Sequence, residues 1–207
     1  MTSIVNSSSV APLNGLVLAG GKSVRMGRDK GLLRWNGVEQ RYYMVGLLTQ
    51  LCAGVYLSCR QEQVADMVEG YNVLPDVFTN AGPLGGILTA FQLQPQSAWL
   101  VAACDLPLLD ADTLQFLIAN RDEQALATTF QSPFDGLPEP LITIWEPAAQ
   151  PLLMEYRAAG ISCPRKVLLR NIDQVKVLTP PNADALMNAN TPEDAARVEA
   201  IIAAGVK

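Results

Sequence analysis

From residue 13 to residue 121, short apolar runs alternate with stretches in which apolar residues recur at helical spacing. Leu13–Leu18 (LNGLVL), residues 55–58 (VYLS), 73–74 and 99–103 (WLVAA) show little polar alternation, the pattern of parallel strands covered on both faces. Between them, residues 41–52, 61–69, 85–93 and 112–121 are predicted helices. In the last of these, Leu114, Leu117 and Ile118 hold the i, i+3, i+4 spacing of a buried stripe. This β-α-β-α rhythm predicts an α/β fold of Rossmann-like, doubly wound type with a mostly parallel sheet.

The pattern changes after Arg121. Residues 125–130 and 140–144 are strand-like, and the turn-rich 132–138 (SPFDGLP) joins them, which predicts a hairpin or antiparallel excursion. A helix at 148–158, a short helix after Pro164 and a strand at Val175–Leu178 follow. Near the end, Thr191 reads as an N-cap with Pro192 as first helical residue and Asp194 as its partner, ahead of Val198, Ile201 and Ile202 on one face. With no internal repeat and no linker, residues 13–207 are expected to form one domain behind a flexible tail, residues 1–12.

Composition narrows the chemistry. The chain has 207 residues, of which 49% are hydrophobic, enough for one sizeable core without a disulfide scaffold. Fifteen basic against 20 acidic residues give a net charge of −5, which argues against a general grip on nucleic acid or an anionic membrane. Histidine is absent, so Ser/His and Cys/His nucleophile pairs and imidazole acid/base chemistry are excluded. Catalysis must rest on carboxylates, Lys, Arg, backbone amides or a metal with oxygen ligands. The four cysteines form no CxxC pair and are expected to be reduced core residues of a cytoplasmic protein. No apolar run approaches the ~20 residues of a membrane span. Residues 1–12 lack the features of a signal peptide.

The strongest motif follows the first strand: Leu18-Ala19-Gly20-Gly21-Lys22-Ser23-Val24-Arg25-Met26-Gly27-Arg28-Asp29-Lys30. Its glycines allow main-chain N–H groups to turn inward as an anion nest. Lys22, Arg25, Arg28, Lys30 and Arg34 place a third of the chain's positive charge within thirteen positions, with Asp29 as the one acid. A triphosphate is the matching counter-charge. The plainer reading is a Gly-rich turn with solvated charges; the loop is neither a Walker A sequence nor GxGxxG. Asp105 ends the apolar run 99–104, at the carboxyl edge of the sheet, where it either ligates Mg²⁺ or caps a turn before Pro107. Residues 82–86 read either as a helix start or as backbone that closely approaches a base or ribose. Arg165 and Lys166 suit either a substrate phosphate or a solvated helix start. Asn188 and Asn190, beside the Thr191 cap, are structural or reach toward the site.

The loop, completed by Leu32 and Leu33, resembles the LAGGxSxRMGxDK(x)LL signature of the molybdenum cofactor guanylyltransferase (MobA-like) family of nucleotidyltransferases. Gly82-Pro83-Leu84-Gly85-Gly86-Ile87 is similar to that family's GPLxGI segment, Cys104-Asp105-Leu106-Pro107 to its (C)DxP segment, and Asn188-Ala189-Asn190-Thr191-Pro192-Glu193 to NxNTPE. The resemblance spans about residues 13 to 200, with residues 125–174 matching least. It implies the nucleotide-diphospho-sugar transferase type of fold, with transfer of GMP from GTP to the phosphate of molybdenum-bearing molybdopterin and release of pyrophosphate. It further implies a monomer, with cofactor-delivery or apo-molybdoenzyme proteins as partners. Arg25, Lys30 and Asp105 are then the catalytic residues, with Mg²⁺ on Asp105. Leu18, Ala19, Gly20, Gly21, Lys30, Ser58, Asp76, Gly82 and Asp105 bind nucleotide, and Arg165, Lys166, Asn188 and Asn190 are candidates for the acceptor. Ser58 stands where the family places a polar base-binding residue, usually Asn, with spacing shifted by about one residue. An acceptor phosphate is already an anion, so no histidine is needed as base. The alternatives are a cytidylyltransferase on the same cofactor, a sugar-1-phosphate nucleotidyltransferase, and a nucleotide-binding regulator without turnover.

Overall fold

A computed structural model describes residues 10–21 and 30–205, with the backbone alone at residue 30. Seven strands form one sheet: β1 (Leu13–Leu18), β2 (Val55–Cys59), β3 (Val73–Pro75), β4 (Ala98–Ala103), β5 (Ala127–Gln131), β6 (Pro138–Trp145) and β7 (Val175–Leu178), in the order β3-β2-β1-β4-β6-β5-β7. Pairs β1/β2, β1/β4, β2/β3 and β5/β7 are parallel, whereas β6 runs antiparallel to both β4 and β5. The expected antiparallel excursion is therefore a β5–β6 hairpin inserted in a doubly wound sheet.

Alternation along the strands sends neighbouring side chains to opposite faces. Val17 and Leu100 join one apolar cluster and Leu16 and Trp99 the other, which explains the continuous hydrophobicity of β1 and β4. Helices α1 (Gln40–Thr49) and α3 (Ala111–Ala119) cover the first face with Met44, Val45, Leu48, Leu114 and Leu117. Helices α2 (Gly82–Leu93), α4 (Ala149–Ala158) and α5 (Pro164–Arg170) cover the second with Leu84, Ile87, Phe91, Leu153, Val167 and Leu168. Helix α6 (Pro192–Ala203) sets Val198 against Met187 and Ala189. Each fully buried large side chain contributes about 1.5–3 kcal/mol of transfer free energy.

Local chemistry sets the ends. Thr191 Oγ1 accepts from Asp194 N–H at 3.1 Å while Asp194 Oδ2 accepts from Thr191 N–H at 2.9 Å, the reciprocal cap expected from the sequence. Helix α2 begins at Gly82 rather than residue 85, because Pro83 lies in the first turn, where its missing N–H costs nothing. The helix expected over 61–69 is instead a 3-10 turn, Gln61–Asp66, and Met67 is already extended. Val64, Met67 and Val68 hold helical i, i+3, i+4 spacing, but Met67 N–H closes onto the Val64 carbonyl at 3.2 Å and Val68 is left 56% exposed, so the spacing buries no continuous stripe. Helix α1 stops at Thr49 rather than residue 52, where Leu51 N–H tightens onto the Leu48 carbonyl at 3.0 Å. All four cysteines are free thiols; Cys59 and Cys104 are buried, while Cys52 and Cys163 are only half-buried. Among the described residues, no helix is long and apolar enough to cross a membrane.

Candidate active site

Strand order turns about β1: the chain steps outward to β2 and β3, then returns through α2 to β4 on the other side. In open α/β sheets a crevice forms at this reversal, beyond the carboxyl ends of the strands. A cavity of about 790 Å³ opens there. Leu18, Ala19, Gly20 and Gly21 reach it from β1, Ser58 from β2, Asp76 from just after β3, Gly82 from the start of α2 and Asp105 from just after β4. Eight of the nine positions expected to bind nucleotide thus meet in one volume.

Backbone pairing carries past the strand ends and fixes these groups. Ala19 N–H donates to the Ser58 carbonyl at 2.9 Å, and Asp76 N–H donates to that of Cys59 at 2.8 Å. Ser58 Oγ then donates to Asp76 Oδ1 at 2.7 Å. A Cβ at Gly86 would lie 2.5 Å from Ser58 Oγ and 2.8 Å from Leu18 Cδ2, so α2 approaches this pair only because residue 86 is glycine. Gly82 adopts φ +53°, with the Ser162 carbonyl oxygen 3.4 Å from where its Cβ would be.

Burial pushes the Asp76 carboxyl above the usual carboxylate range, against the lowering effects of the Ser58 hydrogen bond and the Arg60 charge. Burial, assisted by the Asp76 charge, raises the Cys59 thiol to about 11, and burial alone raises Cys52 to about 12. Neither thiol is activated as a nucleophile.

Asp105 is tied from two directions. Its carbonyl accepts from Ala189 N–H at 2.9 Å, and the neighbouring Leu106 carbonyl accepts from Gln40 Nε2 at 3.2 Å. Asn188 and Asn190 therefore flank the residue that anchors Asp105, but neither is among the residues lining the cavity. Asn190 N–H donates to Asp194 Oδ2 at 3.0 Å, extending the α6 cap. Among the described residues, no group of three or more His, Cys, Asp or Glu side chains is arranged to hold a metal ion. Asp105 lines the cavity along with Asp76 and Glu62, and one or two such carboxylates suit Mg²⁺, which fills the rest of its shell with water and substrate phosphate.

Lys22, Arg25 and Arg28 lie outside the described residues, as does the Lys30 side chain. The Lys30 backbone opens a 3-10 turn, Lys30–Leu32, whose Gly31 returns to the cavity wall. Arg34 points elsewhere: it is largely exposed and pairs with Glu39 at 3.5 Å. Arg165 is paired with Asp135 at 2.7 Å and Glu139 at 3.2 Å, and Lys166 is exposed; neither lines the cavity.

Sequence reading missed several wall residues. Arg60, Phe78, Asn80, Leu141 and Ser162 all line the cavity. Asn80 has φ +56°, uncommon for a residue with a Cβ, in the loop ahead of α2. The Arg157 guanidinium lies 4.7 Å from the centre of the Phe78 ring. The one available signal was Arg60 itself, a cation two residues after Ser58 at the carboxyl end of a predicted strand.

Residues 15–175 match the family model of the MobA-like NTP transferase domain. A molybdenum cofactor biosynthesis bifunctional protein from Synechocystis sp. is 37% identical over 187 residues, covering 90% of this chain and 53% of its own length. The chain thus spans about half of that relative. A probable molybdenum cofactor guanylyltransferase from Nostoc sp. is 33% identical over 201 residues, 90% of each chain. Among solved structures, molybdopterin-guanine dinucleotide biosynthesis protein A from Archaeoglobus fulgidus superposes with a TM-score of 0.75 at 22% identity, covering 92% of this chain and 99% of that one. A 4-diphosphocytidyl-2C-methyl-D-erythritol synthase from Anaerococcus prevotii gives 0.67 at 15% identity, over 93% and 96%. These two likenesses are of fold.

Proposed function

The chain belongs to the MobA-like NTP transferase domain family of nucleotidyltransferases, and from that premise we propose that it transfers GMP from GTP to the terminal phosphate of molybdenum-bearing molybdopterin. The observation that carries this reading is the meeting of Gly20, Gly21 and Asp105 on one cavity of about 790 Å³, roomy enough for a nucleotide beside an acceptor. The relatives named as molybdenum cofactor guanylyltransferases support the choice of donor and acceptor. The four free thiols support a cytoplasmic setting.

The acceptor phosphate oxygen attacks the α-phosphorus in line, the bond from that phosphorus to the β-phosphate bridging oxygen breaks, and pyrophosphate leaves with the bonding pair. An ionised phosphate needs no proton removed, so a chain without histidine loses nothing. Alignment and charge neutralisation then account for the rate. The Gly20–Gly21 backbone binds base or phosphate, while Lys30 and Arg25 steady the α-phosphate and the leaving group. Asp105 holds Mg²⁺, which when bound neutralises phosphate charge and orients the oxygens. Asp76 accepts from the base, braced by Ser58.

The test is pyrophosphate release from GTP, CTP or UTP with Mg²⁺ and molybdenum-loaded molybdopterin. GTP-dependent release with formation of the guanine dinucleotide is expected. Release from CTP alone would replace this reading with the cytidylyl one, and GTP binding without turnover would make the protein a regulator.

A further inference from the structure

Ser58 is poorly placed to read a base. It is 1% exposed, and its Oγ–H is committed to Asp76 Oδ1 at 2.7 Å. Arg60, just past the end of β2, also lines the cavity. Its Nη1 donates to the Gly20 carbonyl and its Nε to Glu62 Oε1 at 2.7 Å. A guanidinium carries five N–H groups, so donors remain after these two bonds. Beside the same glycine, Asp76 Oδ2 lies 3.4 Å and the Arg60 backbone nitrogen 3.5 Å from where a Cβ of residue 20 would be. A donor side chain and an acceptor side chain therefore both lie against Gly20 on the cavity wall.

We infer that Arg60 is a specificity-determining residue that donates to a ring carbonyl of the incoming base, with the adjacent ring N–H donating to Asp76. This rests on the reading that a nucleoside triphosphate occupies the cavity. With the phosphates toward Asp105, the pairing has the ring edge presented with its carbonyl toward Arg60 and its N–H toward Asp76. In that direction guanine offers O6 to Arg60 and N1–H, with its 2-amino group, to Asp76. Adenine and cytosine place an amino group against the guanidinium and a bare ring nitrogen against the carboxylate. Arg has no acceptor and an ionised carboxylate no donor, so both contacts fail together and leave polar groups unpaired. Uracil matches the carbonyl and N–H but lacks the amino group and the second ring.

Arg60 also braces the Gly20 carbonyl, so its loss must be read through selectivity rather than affinity alone. Equilibrium binding of GTP, ITP, UTP, ATP and CTP, each with Mg²⁺, is to be measured on the full chain and on Arg60→Ala and Arg60→Lys. The unchanged protein is expected to bind GTP and ITP ahead of ATP and CTP. Arg60→Ala should lower the GTP-over-ATP preference about tenfold or more while ATP affinity changes little. Arg60→Lys, which keeps the charge but loses the planar fork, should recover part of the lost GTP affinity without recovering the full GTP-over-ATP preference. An equal loss on all five nucleotides, or an unchanged preference in Arg60→Ala, overturns the inference while leaving the transferase reading intact. Failure of the unchanged protein to bind any of them overturns both.

Discussion

Ser58 and Asp76 join the ends of β2 and β3 through a 2.7 Å hydrogen bond, in which a buried hydroxyl steadies a carboxylate that burial alone would disfavour. The folded Asp76 keeps its proton to a higher pH than the same residue in the unfolded chain. Its contribution to stability therefore falls as pH rises from the ordinary carboxylate range through its raised folded value, and above that value the penalty is fully present. Asp76→Asn is expected to raise the melting temperature at pH 7 more than at pH 4, while weakening GTP binding. Thermal melts at the two pH values, with binding measured at pH 7, check both halves.

Ser58→Ala acts in the opposite sense. It leaves a buried carboxylate oxygen without its donor, so stability at pH 7 should fall by about 1.5–3 kcal/mol in denaturant titrations. The loss should shrink on acidification, as Asp76 takes up its proton. A loss equal at both pH values would detach the hydroxyl from the ionisation of Asp76.

Two adjacent glycines should respond differently to alanine. At Gly85 the added Cβ would meet the Phe78 carbonyl oxygen at 2.8 Å, a backbone atom that cannot swing aside, and a stability loss of about 1–3 kcal/mol is expected. At Gly86 the clash is with the side chains of Ser58 and Leu18, so they shift, and GTP affinity should fall more than the melting temperature. Melting and binding measured on both variants separate the effects.

Asp105→Asn retains the backbone bond from Ala189 but removes the charge. Turnover should drop on the order of 100-fold or more while GTP binding without Mg²⁺ persists. Lys30→Ala should lower turnover by a similar factor. Full activity in either variant would remove that residue from the reaction.

The pair Arg121–Glu146 offers a control remote from the cavity. Arg121 Nε and Nη2 donate to the two Glu146 oxygens at 2.7 and 2.8 Å, and both side chains are at least nine-tenths buried. Glu146→Ala should cost about 3–5 kcal/mol by leaving a buried cation without its partner. Selectivity among nucleotides in the surviving folded fraction should not change.

Much of this arrangement was legible in the chain. Strand β1 has the predicted bounds because an apolar run covered on both faces has no competing period, and the Thr191 cap followed from local hydrogen-bond chemistry alone. Gly20 and Asp105 could be placed at the sheet edge because each follows a recognisable apolar strand, whereas Asp76 is reached only through the family resemblance. Arg60 was not legible: its role depends on a contact with Gly20 forty residues away, and no local spacing encodes it. Arg34 misled for the converse reason, since charge density in a segment does not show that Glu39 takes up one of its members. The 61–69 segment misled because Val64, Met67 and Val68 have helical spacing, while the fold leaves Val68 exposed and ends the turn at Asp66.

Strand β6 runs against its neighbours, so the turn joining it to β5 rises at the same edge as the cavity, where Leu141 forms part of the wall. Arg165 fastens the Asp135 carboxylate, within that turn, to the Glu139 carboxylate at the start of β6. These bonds hold the turn to β6 at the cavity edge without entering the pairing of β1 with β2 and β4.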